Sequence, residues 1–109
     1  GSGKQGISID ALKIEDSHEL KVLAPSAGIF YSTPSPTEPD FVTVGDTLNI
    51  NDTLCLLEAM KLFRPISLSV FNTMDTDIYP DRNYKIVRIN PANSQAVNKG
   101  DLLFVIEPV

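Results

Sequence analysis

Residues 54–66 read LCLLEAMKLFRPI, and in them two apolar runs meet at Met60-Lys61. Short apolar runs of this kind are typical of strands. A tight hairpin usually carries Asn-Gly, Asp-Gly or a single glycine at its tip, because other residues adopt positive φ at a cost. Met60 and Lys61 offer no such turn chemistry. The sequence therefore predicts a hairpin that breaks a local rule at a lysine, and such departures are expected where function overrides stability.

The motif at this predicted hairpin resembles that of a known family. Ala59-Met60-Lys61 is similar to the attachment motif of biotin carboxyl carrier proteins, in which the lysine amine is joined to biotin. The tripeptide by itself is common by chance, so the interpretation depends on the flanking segments, which resemble the same family. The resemblance implies that biotin is bound covalently at Lys61 and that Glu58, Ala59 and Met60 belong to the attachment motif.

The composition indicates one small domain. The chain has 109 residues, of which 42% are hydrophobic, and a formal net charge of −5. A negative surface repels phosphate backbones, which argues against a nucleic-acid partner. No apolar run approaches the roughly 20 residues needed to span a bilayer, so no membrane association is expected. The single cysteine, Cys55, lies in an apolar run, which favours a small buried side chain in a reducing compartment.

Short strands separated by frequent turns predict an all-β fold. Turn signals recur between the apolar runs, and no segment shows a long helical period. This pattern is typical of a β-sandwich or a flattened barrel. The predicted strands include Leu20–Leu23, Gly28–Tyr31, Leu54–Leu57, Lys85–Ile89 and Leu102–Ile106.

An internal repeat supports a fold made of two halves. Residues 51–58, NDTLCLLE, align with residues 100–107, GDLLFVIE. Each copy is expected to begin with a residue in a left-handed backbone, Asn51 or Gly100, because both residue types tolerate it, and each ends in a glutamate. The resemblance to biotinyl and lipoyl domains implies a flattened β-barrel of two four-stranded sheets related by an approximate twofold axis. One half would end at the lysine hairpin and the other at the chain terminus.

A proline-rich segment lies between the second predicted strand and the third. Residues 33–41 read TPSPTEPDF, and their three prolines fix φ and remove hydrogen-bond donors, which predicts a stiff loop. Residues 32–41 resemble the thumb of acetyl-CoA carboxylase carriers from bacteria and plastids, where the thumb leans toward the attached biotin. The resemblance implies that part of this loop lies near biotin. A plain surface loop and a proline ligand for another module are the alternatives. The thumb residues expected near biotin are Thr33, Pro34, Ser35 and Pro36.

The resemblance places the biotinyl domain at residues 20–109. Residues 22–31 are similar to its first strand-turn-strand, in which Gly28 is expected to permit a tight turn. Residues 1–19 match nothing in the family and form an N-terminal extension. Its first three residues look like a tag remnant, and its apolar residues could add an edge strand or a short helix.

Residues 69–80 form an insertion that the family does not have at this place. The segments Leu68–Phe71 and Thr76–Tyr79 could form an added hairpin. This insertion lies in the half of the fold opposite the thumb, and its role is open.

The sequence contains no catalytic machinery of its own. It has no plausible pair of histidine and nucleophile, no phosphate-binding glycine loop and no metal-ligand spacing. His18 is the only histidine, so no second imidazole is available for a metal. An exposed lysine amine is mostly protonated at neutral pH and is a poor nucleophile, so its modification needs an outside enzyme.

The resemblance implies which enzyme attaches the cofactor and which enzymes then act on it. Biotin protein ligase would attach biotin, and biotin carboxylase would carboxylate it with ATP and bicarbonate. A carboxyltransferase would then pass the carboxyl group to acetyl-CoA, which gives malonyl-CoA for fatty acid synthesis. The chain would be a non-catalytic carrier in the cytoplasm or the plastid stroma, and it would act by holding a cofactor at high effective concentration near both active sites.

Two alternatives use the same fold. A lipoyl carrier usually has an acidic residue directly before its lysine and alanine after it, whereas Met60 and Leu62 flank Lys61 here. An adaptor domain would leave Lys61 unmodified, and the insertion at residues 69–80 is the best argument for that alternative.

Overall fold

The computed structural model describes residues 18–71 and 78–109. In these residues the chain forms eight β-strands and one short 3-10 helix. The strands are β1 Leu20–Leu23, β2 Gly28–Tyr31, β3 Thr47–Leu48, β4 Thr53–Ala59, β5 Leu62–Ser67, β6 Tyr84–Ile89, β7 Gln95–Val97 and β8 Leu102–Pro108, and the 3-10 helix is Leu68–Phe71.

The strands form two four-stranded sheets with the same topology. Sheet A has the order β1-β8-β6-β3, and sheet B has the order β5-β4-β2-β7. Exchanging each strand for the one four places away in the chain converts one order into the other. All paired strands are antiparallel. The predicted all-β flattened barrel of two pseudo-twofold-related sheets is therefore confirmed, and the β4–β5 hairpin is the counterpart of the pair formed by β8 and β1.

The core lies between the two sheets and is apolar throughout. Phe30 of sheet B packs on Phe104 of sheet A with their ring centroids 5.9 Å apart. Tyr84 is fully buried, and its hydroxyl accepts a hydrogen bond from the backbone N–H of Tyr79 at 2.8 Å. Cys55 is also fully buried, and burial raises the pKa of its thiol to about 12. The thiol therefore stays neutral at physiological pH, as expected for a cysteine that serves as a small apolar side chain.

The internal repeat corresponds to two turns built in the same way. The Asp52 carboxylate accepts a hydrogen bond from the backbone N–H of Asn49, and Asp101 accepts the equivalent bond from Asn98. The prediction of a left-handed Asn51 is wrong, because the residues with positive φ in the described part of the chain do not include it. The Asn49 side-chain oxygen instead accepts the Asn51 N–H at 2.8 Å, which stabilises this turn without a left-handed residue. Only Gly100, with φ +89°, has the expected backbone.

Gly28 does not serve a tight turn. It is the first residue of β2, and its φ is not positive. A Cβ at this position would lie 2.7 Å from the carbonyl oxygen of Glu58. Gly28 therefore allows β2 to approach the backbone of β4, which is a different reason for a glycine from the one predicted.

Residues 68–71 do not form one arm of an added hairpin. They form the 3-10 helix, in which Leu68 is fully buried. The apolar side chains fix this segment to the core, so the predicted hairpin is wrong at this arm. Ile78 is buried and Tyr79 exposed, and neither lies in a strand. Residues 72–77, which include the predicted turn, and residues 1–17, which include most of the predicted extension, lie outside the described residues.

Two classes of feature are absent from residues 18–71 and 78–109. None of their helices has the length and apolar character needed to cross a bilayer. No three of their His, Cys, Asp and Glu side chains are grouped so that they could bind a metal ion.

Candidate functional site

Lys61 lies at the tip of the β4–β5 hairpin. Ala59 pairs with Leu62, so the loop contains only Met60 and Lys61. Their φ angles are +53° and +66°. Positive φ at both central residues defines a type I′ turn, whose twist matches that of the two strands. The hairpin predicted from residues 54–66 is present, and its tip does break the local rule.

Strand pairing keeps the strained turn in place. A non-glycine residue in the left-handed region costs about 1–3 kcal/mol. Six residue pairs from Thr53↔Ser67 to Ala59↔Leu62 join β4 to β5, and β4 is paired with β2 on its other side. The tip is therefore held by a central strand whose inner face is buried in the core.

The residues around the tip are strongly exposed. Met60 is 94% exposed, Leu62 74% and Phe63 58%. Lys61 is exposed, and no hydrogen bond or ion pair involves its side chain within the two described ranges. Exposing these apolar side chains to water costs free energy. An exposed apolar patch around an unpaired amine is typical of a site that another protein contacts.

Glu58 takes part in a polar contact at the base of the hairpin. Its carboxylate accepts a hydrogen bond from the Tyr31 hydroxyl at 2.9 Å. This hydrogen bond, with partial burial and the charge of Glu58, raises the pKa of Tyr31. The Tyr31 ring also packs on Phe63, with centroids 5.7 Å apart. Tyr31 therefore connects β2 to both strands of the hairpin.

The proline-rich loop is fixed at its base. Ser32 donates its backbone N–H to the Asn93 side chain at 2.9 Å and its hydroxyl to Asp40 at 3.1 Å. The backbone N–H of Phe41 donates to the Ser32 carbonyl at 2.9 Å and closes the loop. These bonds hold residues 33–40 as a protrusion, in agreement with the stiff loop predicted from the prolines.

A cavity of about 270 Å³ separates the loop from the hairpin. Its lining contains all four thumb residues that were predicted to lie near biotin, together with Phe63, two residues after Lys61. The role of the thumb residues stays a prediction. The sequence reasoning missed Tyr31 and Phe63, although both flank segments that it singled out. The lining consists of Tyr31, Thr33, Pro34, Ser35, Pro36, Phe63, Asn93 and Ser94.

Replacing Met60-Lys61 by Asn-Gly is expected to raise the free energy of unfolding by about 1–3 kcal/mol, because Asn-Gly adopts the type I′ turn with little strain. Urea unfolding of the unmodified chain measures this. The control variant with Ala at both positions removes the same side chains and should not be stabilised. Equal stability of the Asn-Gly variant and the native chain would show that the turn is not strained.

Comparisons with known proteins agree with this arrangement. A family described as "Biotin-requiring enzyme" matches residues 20–70. The chloroplastic biotin carboxyl carrier protein of acetyl-CoA carboxylase from Glycine max is 35% identical over 98 residues, which are 90% of this chain and 33% of that protein. The carrier of the same name from Cyanidium caldarium is 35% identical over 95 residues, 87% of this chain and 55% of that protein. The one from Pseudomonas aeruginosa is 40% identical over 55 residues, 50% of this chain and 35% of that protein.

The chain thus spans about a third to a half of the length of these relatives. Among solved structures, it is similar to part of a single-chain, multi-domain long-chain acyl-CoA carboxylase, with a TM-score of 0.61 and 23% identity. The match covers 84% of this chain and 7% of that one. At this identity the likeness concerns the fold alone.

Proposed function

We propose that the chain contains a biotinyl domain similar to those of biotin carboxyl carrier proteins, as the sequence predicted, and that it carries biotin on Lys61 for an acetyl-CoA carboxylase. The observation that carries the proposal is the position of Lys61 in a two-residue turn, exposed and without a partner among the described residues. The proposed role is that of a carrier without catalytic groups of its own.

The residues at the tip fit a covalently attached cofactor. Lys61 offers one amine for an amide bond, and it is presented by the end of β4 at Glu58 and Ala59 and by Met60, which precedes it in the turn. Attached biotin would supply a ring nitrogen that accepts and releases a carboxyl group. The chain itself would hold the attachment point on a rigid hairpin, and the thumb residues that line the cavity beside Phe63 would limit where the arm rests.

The proposed partners follow from this role. Biotin carboxylase and a carboxyltransferase would act on the attached cofactor, with acetyl-CoA as acceptor and fatty acid synthesis as the destination. Biotin protein ligase would modify Lys61, and exposed Met60 and Leu62 would contact it. Chloroplastic and bacterial carriers are both among the relatives, so we propose a bacterial cytoplasm or a plastid stroma as the compartment.

We propose residues 20–109 as the biotinyl domain, with the thumb at residues 32–41. β1 begins at Leu20, and β8 ends one residue before the last residue of the chain. Residues 69–80 are then an insertion between β5 and β6, and residues 1–19 an N-terminal extension.

Co-expression with biotin protein ligase tests the proposal. The expected product binds avidin and gains the mass of one biotinyl group, and peptide mapping assigns that group to Lys61. Incubation with lipoate ligase and octanoate serves as the matched reaction for the lipoyl alternative. Octanoylation without biotinylation would favour a lipoyl carrier, and the absence of both modifications would favour an unmodified adaptor.

A further inference from the structure

A polar and aromatic cluster lies on the outer face of sheet B at the base of the hairpin. Side chains alternate between the two faces along a strand, and Leu57 is buried, so Glu58 points outward. Phe63 is the residue opposite Glu58 on β5. Tyr31 of β2 reaches both, through a 2.9 Å hydrogen bond to Glu58 and a 5.7 Å ring contact with Phe63.

The pseudo-twofold repeat shows what is different at this glutamate. Glu107, the counterpart of Glu58, lies opposite Lys85 and pairs with its amine at 3.9 Å. Glu58 lies opposite Ile29 instead, and its carboxylate is bound by a neutral hydroxyl. The fold therefore places a cation beside one glutamate and a phenol beside the other.

We propose that Tyr31 is a positioning residue, which holds the Glu58 carboxylate on the outer face of sheet B and so keeps the nearby Lys61 amine unpaired. The inference rests on the proposed function, because it concerns the amine that would be modified. Glu58 lies near the end of β4, only three residues before Lys61 in the turn, and a released carboxylate could reach the amine.

The charged groups around the tip leave few other partners for a released Glu58. Arg64 lies opposite Leu57, so it points to the other face of the hairpin. β2 contributes only the Tyr31 hydroxyl as a titratable group, and β7 contributes none. Among the described residues, Lys61 is then the cation nearest in sequence to a freed Glu58, at the same end of the hairpin.

Pairing would make the amine less reactive. A carboxylate next to a lysine favours the ammonium form, and acylation needs the neutral amine as nucleophile. For an exposed pair this effect corresponds to a change of about two- to fivefold in reactivity at neutral pH. Tyr31 would thus act on Lys61 indirectly, without touching the reacting atoms.

Acylation of Lys61 by acetic anhydride, followed by peptide mass spectrometry, tests the inference without a ligase. Tyr31→Phe keeps the ring and removes the hydroxyl, and it is expected to slow Lys61 acylation about two- to fivefold relative to exposed Lys99 in the same molecule. Adding Glu58→Gln to Tyr31→Phe is expected to restore the native rate, because a neutral amide cannot form an ion pair. Tyr79→Phe is the matched control, since Tyr79 is exposed and no hydrogen bond of its hydroxyl occurs in the described ranges.

Rescue by Glu58→Gln separates positioning from general support of the hairpin. A slow Tyr31→Phe variant that is not rescued, or one that reacts at the native rate, would overturn the inference. Biotinylation rates of the native chain, Tyr31→Phe and Tyr79→Phe provide the second readout. Failure of the native chain to accept biotin would refute the proposed function and leave the acylation result standing.

Discussion

Lys61→Arg is expected to abolish biotinylation, and exchange of the two tip residues is expected to slow it by about 100-fold or more. Arginine keeps the positive charge but cannot be deprotonated in a protein, so it cannot form the amide bond. The exchange variant, Met60→Lys with Lys61→Met, keeps composition, charge and the amine itself. Incorporation of labelled biotin by a fixed amount of ligase measures both effects.

The exchange variant tests geometry rather than chemistry. Met60 and Lys61 occupy the two central positions of the type I′ turn, with similar φ but opposite places relative to β4 and β5. A side chain at position 60 therefore leaves the tip in another direction from one at position 61. A misplacement of about 1 Å can cost 100-fold in an oriented reaction, and the shift of one residue is larger.

Lys99→Arg is the control for both variants, because Lys99 is also an exposed lysine in a turn. It should be biotinylated at the native rate. If the exchange variant is biotinylated at the native rate, the ligase requires only a lysine at the tip and does not distinguish the two positions of the turn. Modification of Lys61→Arg at another lysine would move the attachment site away from the tip.

Much of the hairpin could be predicted because its signals are local. Two apolar runs with no loop residues between them leave a tight turn as the only way to pair, and Met60-Lys61 then has to occupy it. The pseudo-twofold arrangement was also accessible, since the turns before β4 and β8 each use an aspartate to accept a backbone N–H three residues earlier.

The predictions that failed depend on contacts with other residues, which the residue type at a position does not reveal. Asn51 is compatible with both a left-handed backbone and an ordinary one, and the Asn49 side chain decides between them. The apolar residues of Leu68–Phe71 suit a strand or a 3-10 helix, and burial of Leu68 against the core selects the helix. Tyr31 and Glu58 are 27 residues apart, so their hydrogen bond follows only from the register of β2 on β4.

Gly28→Ala is expected to lower the free energy of unfolding by about 1–3 kcal/mol, and Gly28→Val by more. A Cβ at this position would lie 2.7 Å from the Glu58 carbonyl oxygen, which is closer than real Cβ atoms come to a neighbour. The obstacle is backbone in a central strand, so it cannot swing aside as a flexible side chain would. β2 would have to move away from β4, with loss of the pairing that supports the hairpin.

Gly100 provides a control, because a glycine is required there by the backbone conformation and not by lack of space. Its φ is +89°, and a Cβ there would meet nothing within 4 Å. Gly100→Ala should cost about 1 kcal/mol through backbone strain alone, and Gly100→Asn less, because asparagine tolerates the left-handed region. At Gly28 the order should reverse, since asparagine is larger than alanine and the constraint there is space.

Urea unfolding of the four variants measures this reversal. Close approach at Gly28 predicts that Asn is worse than Ala, whereas backbone conformation at Gly100 predicts that Asn is better than Ala. The same order at both positions would show that β2 and β4 can separate at Gly28 without cost. In that case the backbone contact with Glu58 could not be what fixes the base of the hairpin, and the Gly28 variants should accept biotin at the native rate. If the contact does fix it, Gly28→Val should slow biotinylation as well as unfold more easily, because β4, which loses its pairing with β2, carries Glu58 and the turn that presents Lys61.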